Sequence, residues 1–464
     1  MPDGVQEGLL DRTLRNFKVA WRDIARSSGQ VDPDLPKDDI DHLRRQMLDC
    51  LSGKGGEVSA RARAAALGQS YIGLTPVGRE RFLRLMATEF GPDRKAAMKA
   101  VEEFKAATPE SWLDARASLQ RSLEAPWIRL LMQFNDLPDG IKFLVDMRTE
   151  LLSLSRRDVQ FQPIERDLRK LLASWFDVGF LELRQITWES SAAMLEKLIA
   201  YEAVHEIASW NDLKNRLDSD RRCFAYIHPR MPDEPLIFVE VALVNGMAGS
   251  VQELLDEDAP VADPQKADTA IFYSISNAQK GLAGISFGNF LIKRVVGSLS
   301  HEFPNLKNFA TLSPVPGFRK WLDGRLAEGD PRLLTPAERK ELKKLESGVG
   351  AKGSLKRALN NPQWIHDPVT ADTIKAPLMR LCARYLTEEK RPVARALDPV
   401  AHFHLTNGAR MERLNWLGDI SPKGIEQSAG MMINYLYKLG DIDANHEAYS
   451  GEGKVAAASR LGKV

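Results

Sequence analysis

The stretch from Ile271 to Trp321 constrains the fold more than any other part of the chain. It reads IFYSIS, then NAQKGLAGISFGNFLIKRVVGSLSHEF, then PNLKNFATLSPVPGFRKWL. An apolar strand-like run enters a glycine-punctuated turn. The turn opens an amphipathic helix, expected over Gly284–Phe303, with Gly288, Leu291, Ile292, Val295 and Leu299 on its inner face. A second strand-like run, Leu306 to Leu312, follows. Two strands joined by a helix of this length run parallel, because a parallel pair needs a crossover of a dozen or more residues. The segment therefore belongs to an α/β or α+β domain.

The rest of the chain falls on either side of a change of texture near Thr187. Before it the spacing is helical. Leu10, Leu14, Phe17, Trp21 and Ile24 lie on one face. Thr75-Pro76 is an N-cap followed by proline at the first helical position, with Phe82, Leu85, Met86 and Phe90 as the buried side. Leu168, Leu171, Leu172 and Trp175 repeat the pattern, and Gly53–Gly56 and Leu137–Gly140 are short linkers. After a last helix, expected over Trp188–His205, strands are expected at Cys223–His228, Leu236–Val244 and Thr269–Ile275. The expected boundaries are 1–187 for a helical domain and 188–464 for an α/β or α+β domain. Thr335–Arg357 reads as a surface helix and a mobile loop, and Glu447–Val464 as a frayed tail.

At 464 residues the chain exceeds one ordinary core, so two or more domains are expected. Its 64 Lys+Arg and 63 Asp+Glu leave a net charge of +1, which points to neither nucleic acid nor a membrane surface. Cys50, Cys223 and Cys382 form no CxxC pair, which disfavours a zinc cluster or a disulfide scaffold and fits a reducing compartment. The amino-terminal MPDGVQEGLLD resembles neither a secretory signal nor a basic transit peptide, and the last residues, Gly462-Lys463-Val464, are not a Ser-Lys-Leu address. A cytoplasmic protein is expected.

Three places carry residues suited to chemistry. The glycines around Lys280 to Gly288 let backbone N–H groups approach a phosphate at a helix start, although glycine there also serves simple packing. Ser313, in LSPVPGF, sits at a strand end with two prolines fixing the chain behind it, and it lies outside any G-x-S-x-G elbow. His402 and His404 flank Phe403 in DPVAHFHLTNGA, and an extended segment would point both to one side. One of them is a candidate general acid or base; a metal pair is disfavoured, since no acidic or sulfur partner stands at motif spacing. Tyr435 and Tyr437 alternate with apolar residues as on a strand.

Taken together, HPRMPDEPLIFVEVAL from His228, AIFYSISNAQKGLAGISFGNFLIKRVV from Ala270, LSPVPGFRKWL from Leu312, DPVAHFHLTNGA from Asp398 and NWLGDISPKGIEQSAGMMINYLY from Asn415 resemble malonyl-CoA decarboxylases, as does WESSAAMLEKLIAYEAVHEI from Trp188. The resemblance implies an α+β protein: an N-terminal all-α helical bundle domain used in oligomerisation, as a homo-oligomer (dimer or tetramer), and a C-terminal GNAT-like α/β catalytic domain. It implies malonyl-CoA as substrate, with no metal, redox cofactor, nucleic acid or membrane. The catalytic serine falls on Ser313 and the catalytic histidine on His404. The acyl-CoA loop falls on Ala283, Gly284, Ile285, Ser286, Phe287, Gly288 and Asn289. A serine ahead of the loop matches Ser274 and a tyrosine matches Tyr437. Members resembling the animal enzymes carry a glutamate within the loop, where this chain has Ser286. The alternatives are a GNAT-type acyltransferase and a non-catalytic acyl-CoA-binding scaffold.

Overall fold

A computed structural model describes residues 17, 21–22, 24–25, 31–285, 290–330, 333–345, 350–459 and 461. The chain forms two compact units. The first comprises residues 1–181 together with 228–232 and 279–286, and the second comprises 182–227, 233–278 and 287–464. The strand Glu182–Ile186 thus lies in the second unit, N-terminal to the expected boundary at 187. The α+β class holds, with helices filling the first unit and a mixed sheet the second.

In the first unit, helices run from Lys37–Leu51 to Gln162–Trp175. Thr75 caps the helix Pro76–Glu89 as its sequence requires, its Oγ1 accepting from Gly78 N–H at 3.2 Å. Phe82, Leu85, Met86 and Phe90 are buried, as are Leu168 and Leu172, while Leu171 and Trp175 stay half-buried. The core is aromatic: Phe143 meets Phe17, Trp21, Tyr71 and Phe134 edge-on. Leu10 and Leu14 lie outside the described residues.

In the second unit the strands are β1 (Glu182–Ile186), β2 (Arg221–His228), β3 (Met231–Val244), β4 (Thr269–Asn277), β5 (Asn308–Thr311), β6 (Ser313–Pro314), the small separate pair β7 (Lys390–Arg391) and β8 (Arg395–Ala396), β9 (Arg410–Asn415) and β10 (Met432–Leu436). The main sheet runs β1-β2-β3-β4-β5-β10-β6, with β9 on the other side of β10. The crossover expectation is met: β4 and β5 are parallel, from Thr269 opposite Asn308 to Phe272 opposite Thr311. There the strands part. β4 continues to Asn277 beside β3, while the chain beyond β5 reaches Ser313, opposite Ile433 of β10. Ladder pairing on one side of each strand is thus lost where the catalytic candidates begin.

Four local expectations need correction. The HFHL segment is not extended: it forms the helix Pro399–Thr406, because Asp398 caps the N–H groups of Val400 and Ala401 at 2.9 Å and Pro399 fills the first turn. The helix expected over Trp188–His205 spans only Ala192–Tyr201, started by the Ser191 cap. Within Thr335–Arg357 the expected surface helix is present as Pro336–Leu345, but the part read as a mobile loop enters a second helix, Ala351–Asn360, with 346–349 outside the described residues. The segment read as a frayed tail is structured where it is described: the helix Ile442–Glu452 covers its start and Ala457 bridges to Met411.

Candidate active site

Ser313 opens β6 and is buried, yet it is not a core side chain. Its Oγ donates to Thr311 Oγ1 at 2.8 Å and lies 3.1 Å from His404 Nε2, a partner 91 positions away. His404 sits on the second turn of its helix, only 3% exposed. Its other nitrogen, Nδ1, lies 2.8 Å from Tyr437 Oη, and its ring stacks on Tyr435 with centroids 4.4 Å apart. The assembly is therefore a chain of four side chains, Tyr437, His404, Ser313 and Thr311.

The protons in this chain can be counted. Ser313 has one O–H, and it points to Thr311. The 3.1 Å contact must then be donated by His404 Nε2–H. That leaves Nδ1 without hydrogen, so it accepts from the Tyr437 hydroxyl. Burial lowers the His404 imidazole to about 3, so the ring is neutral at pH 7. Burial likewise pushes the Tyr437 phenol well up, which keeps it a neutral donor.

Several contacts hold this geometry. Thr311 Oγ1 also accepts from Tyr435 N–H at 3.2 Å, and the Thr311 carbonyl accepts from Asn434 Nδ2 at 2.8 Å. Asp398, besides capping the His404 helix, accepts from Gly317 N–H at 3.4 Å and from Tyr385 Oη at 3.3 Å. One buried carboxyl thereby ties the PVPGF turn to the histidine helix. Ser428 Oγ accepts from Val315 N–H on the same turn.

The other candidates distribute as follows. His402 is two residues from His404, and on a helix such positions do not face each other. Its Nδ1 lies 2.8 Å from Tyr449 Oη, and it takes no part in the four-membered chain. Ser274, on β4, is buried with its hydroxyl on Glu202 Oε2 at 2.8 Å. Ala283, Gly284 and Ile285 belong to the first unit, where Arg148 grips their approach. Its Nη1 donates to the Gly281 carbonyl at 2.5 Å, its Nη2 donates to the Ala283 carbonyl at 2.9 Å, and Glu165 Oε1 accepts from its Nε and Nη2. Gly281 is obligatory there, because a Cβ would stand 1.8 Å from the Val145 carbonyl oxygen. Ser286, Phe287, Gly288 and Asn289 lie outside the described residues. Among the described residues, no group of three or more His, Cys, Asp or Glu is placed to hold a metal ion.

Sequence reading assigned no role in the site to Thr311, Tyr435, Glu202 or Arg148. For the first two a signal exists: Thr311 and Ser313, like Tyr435 and Tyr437, stand two apart on extended chain and share a face. For Glu202 and Arg148 nothing local marks the role.

The C-terminal part, residues 179–464, matches the family model described as the malonyl-CoA decarboxylase C-terminal domain, more than half of the chain. The chain belongs to the malonyl-CoA decarboxylase family. Residues 90–176 match the model of the family's N-terminal domain. The chain is 38% identical over 419 residues to the mitochondrial malonyl-CoA decarboxylase of Anser anser anser, covering 87% of this chain and 83% of that protein. It is 36% identical over 432 residues to that of Rattus norvegicus, covering 90% and 84%. Among solved structures, malonyl-CoA decarboxylase from Rhodopseudomonas palustris superposes with a TM-score of 0.84 at 44% identity, covering 92% of this chain and 99% of that one. The Agrobacterium vitis enzyme gives 0.81 at 42%, covering 90% and 98%.

Proposed function

We propose that this family member converts malonyl-CoA to acetyl-CoA and carbon dioxide, with Ser313 and His404 as its catalytic residues. The observation that carries the assignment is the 3.1 Å contact between Ser313 Oγ and His404 Nε2, backed by Tyr437 and Thr311. Breaking the bond to the carboxylate leaves an electron pair that the thioester carbonyl takes up as an enolate, so the substrate supplies its own electron sink and no metal or redox cofactor is invoked. The enolate then takes one proton at carbon.

A thioester enolate is a far stronger base than the conjugate base of an imidazole or a phenol. Neutral donors therefore suffice. Ser313 turns its O–H from Thr311 to the substrate and gives up the proton; His404 Nε2–H refills the serine while Nδ1 takes the Tyr437 proton. The charge moves from enolate to the Tyr437 oxygen; once product leaves, Tyr437 takes its proton back from Nδ1, Nε2 takes the Ser313 hydrogen, and a solvent proton on the Ser313 oxygen restores the starting tautomer. Site charge stays constant until that last step. A positioned proton donor of this kind contributes roughly 100- to 10,000-fold.

Substrate is held, in this reading, by Ser274 and by Ala283 to Asn289, binding the acyl-CoA through backbone N–H groups. Three buried, unpaired cysteines support a reducing, cytoplasmic setting. No described helix is long and apolar enough to cross a membrane. A homo-oligomer through the helical part is supported by the helix Trp112–Leu123, which buries none of its residues within the chain and exposes Trp112, Leu113 and Leu123. The deciding experiment incubates the protein with malonyl-CoA alone. Acetyl-CoA and carbon dioxide are expected, and Ser313→Ala and His404→Ala should each lower kcat about 100-fold or more. Near-normal turnover by either variant would refute the assignment.

A further inference from the structure

Ser274 does not stand alone. The helix Ala192–Tyr201 ends at Glu202, whose backbone N–H still bonds Leu198. Its side chain, 8% exposed, then turns back and accepts four hydrogen bonds. Oε1 takes the N–H groups of Val204 and His205 at 2.7 and 2.9 Å. Oε2 takes the hydroxyls of Ser274 and Ser276 at 2.8 and 2.9 Å. A carboxylate so occupied has nothing to donate, so both serine hydrogens are spent on it. Ser276 uses its oxygen to accept from Ala203 N–H at 3.2 Å. Ser274 Oγ lies 3.2 Å from Ser276 Oγ, but with both hydrogens directed to Glu202 neither serine donates across that gap, and the Ser274 oxygen keeps its acceptor capacity. It sits opposite Glu240 on β3, just past Phe272 and Thr311, the last pair that joins β4 to β5.

We propose that Glu202 is a positioning residue that fixes the polarity of Ser274, presenting its oxygen as a hydrogen-bond acceptor for an amide N–H of the substrate's pantetheine arm. The substrate chemistry selects that group. The carboxylate, thioester oxygen and phosphates of malonyl-CoA are acceptors, and an acceptor serine gains nothing from them. The donors near the acyl end are the two pantetheine amides. The inference rests on the reading of Ser274 as a substrate-binding residue of a malonyl-CoA decarboxylase.

Glu202→Gln reverses the polarity with little change of shape. Its amide oxygen must stay toward Val204 and His205 N–H, so the NH2 faces the serines and turns the Ser274 hydrogen outward, donor against donor. The kcat/KM for malonyl-CoA falls about 10- to 100-fold, the cost of leaving a buried donor unpaired. Ser274→Ala falls comparably, and the double variant is no worse than the poorer single variant beyond about twofold. A second arm does not depend on how the Gln variant folds. Two malonyl-CoA analogues, each with one pantetheine amide N–H replaced by an ester oxygen, are compared on wild-type enzyme and on Ser274→Ala. One analogue loses about tenfold on the wild type and about twofold or less on Ser274→Ala. The proposal is overturned if Glu202→Gln stays within about twofold of wild type, if the two single losses multiply in the double variant, or if both proteins treat each analogue alike. A wild type that binds without turnover sinks the decarboxylation reading alone, because the same cycle can be read on the Kd of acetyl-CoA and its two ester analogues.

Discussion

Tyr437→Phe removes one oxygen and tests the proton count directly. That oxygen lies 2.8 Å from His404 Nδ1, and both residues are buried, so water does not replace it. Two outcomes are open to the variant. If His404 keeps its hydrogen on Nε2, the Nδ1 lone pair is left buried and unpaired. If the hydrogen moves to Nδ1, it faces a phenyl edge, and Nε2 draws the Ser313 O–H away from Thr311. Either path leaves one buried polar group unmatched, at a cost of about 1–3 kcal/mol, and either weakens Ser313 as a donor. Carried into the transition state, that cost lowers kcat by about 5- to 150-fold. KM changes little, because in this arrangement the tyrosine hydroxyl serves the imidazole and not the substrate. Steady-state kinetics on malonyl-CoA separates the two, and histidine ¹⁵N shifts report which nitrogen carries hydrogen. Three results would refute the reasoning: kcat unchanged within about twofold, KM raised at constant kcat, or hydrogen on Nδ1 in the wild-type enzyme. The second would return Tyr437 to the direct substrate-binding role that the family resemblance implies.

Because burial holds free-enzyme His404 near 3, kcat/KM should be flat from about pH 5 to 8; a limb near 6.5 that vanishes in His404→Gln would contradict this. Arg148→Met strips the Gly281 and Ala283 carbonyls of their donor, so KM for malonyl-CoA should rise about tenfold or more with kcat little changed, and amide exchange at Gly281 to Ile285 should quicken. Unchanged KM would mean that this anchor does not matter to binding. Glu240 is fully buried with its Oε1 unpartnered, and burial, then the nearby Glu202, raises its carboxyl from 4.5 to about 8. The folded state therefore binds the extra proton, so stability present below pH 4.5 is lost as pH rises to about 8 and levels off above it. Glu240→Gln should flatten that slope in melting temperatures measured across the range, and an unaltered slope would assign it to another group.

What could be read from the residues was whatever has a local period. Strand, turn, helix and strand between Thr269 and Thr311 follow from apolar spacing, and the parallel pairing of β4 with β5 follows from the crossover length. Period two also places Thr311 with Ser313, and Tyr435 with Tyr437, on common faces. The choice between His402 and His404 has no such basis. Read as extended, HFHL offers both side chains to one side. Read as a helix, which Asp398 and Pro399 signal, it sends them to different tyrosines, Tyr449 and Tyr437, 47 and 33 positions away. Glu202 was hidden for a related reason: extending the helix to His205 made it one more helical residue, whereas ending the helix at Tyr201 frees its carboxyl to meet Ser274, 72 positions on. Two long-range facts then lead from the local pattern to the site. One is the pairing that sets Ser313 opposite Ile433 of β10, beside Tyr435. The other is that the same Asp398 that starts the His404 helix accepts from Gly317 N–H, behind Ser313. Given both, a strand pair presenting Thr311 and Ser313, another presenting Tyr435 and Tyr437, and a helix pinned to the turn between them leave His404 with one place to go.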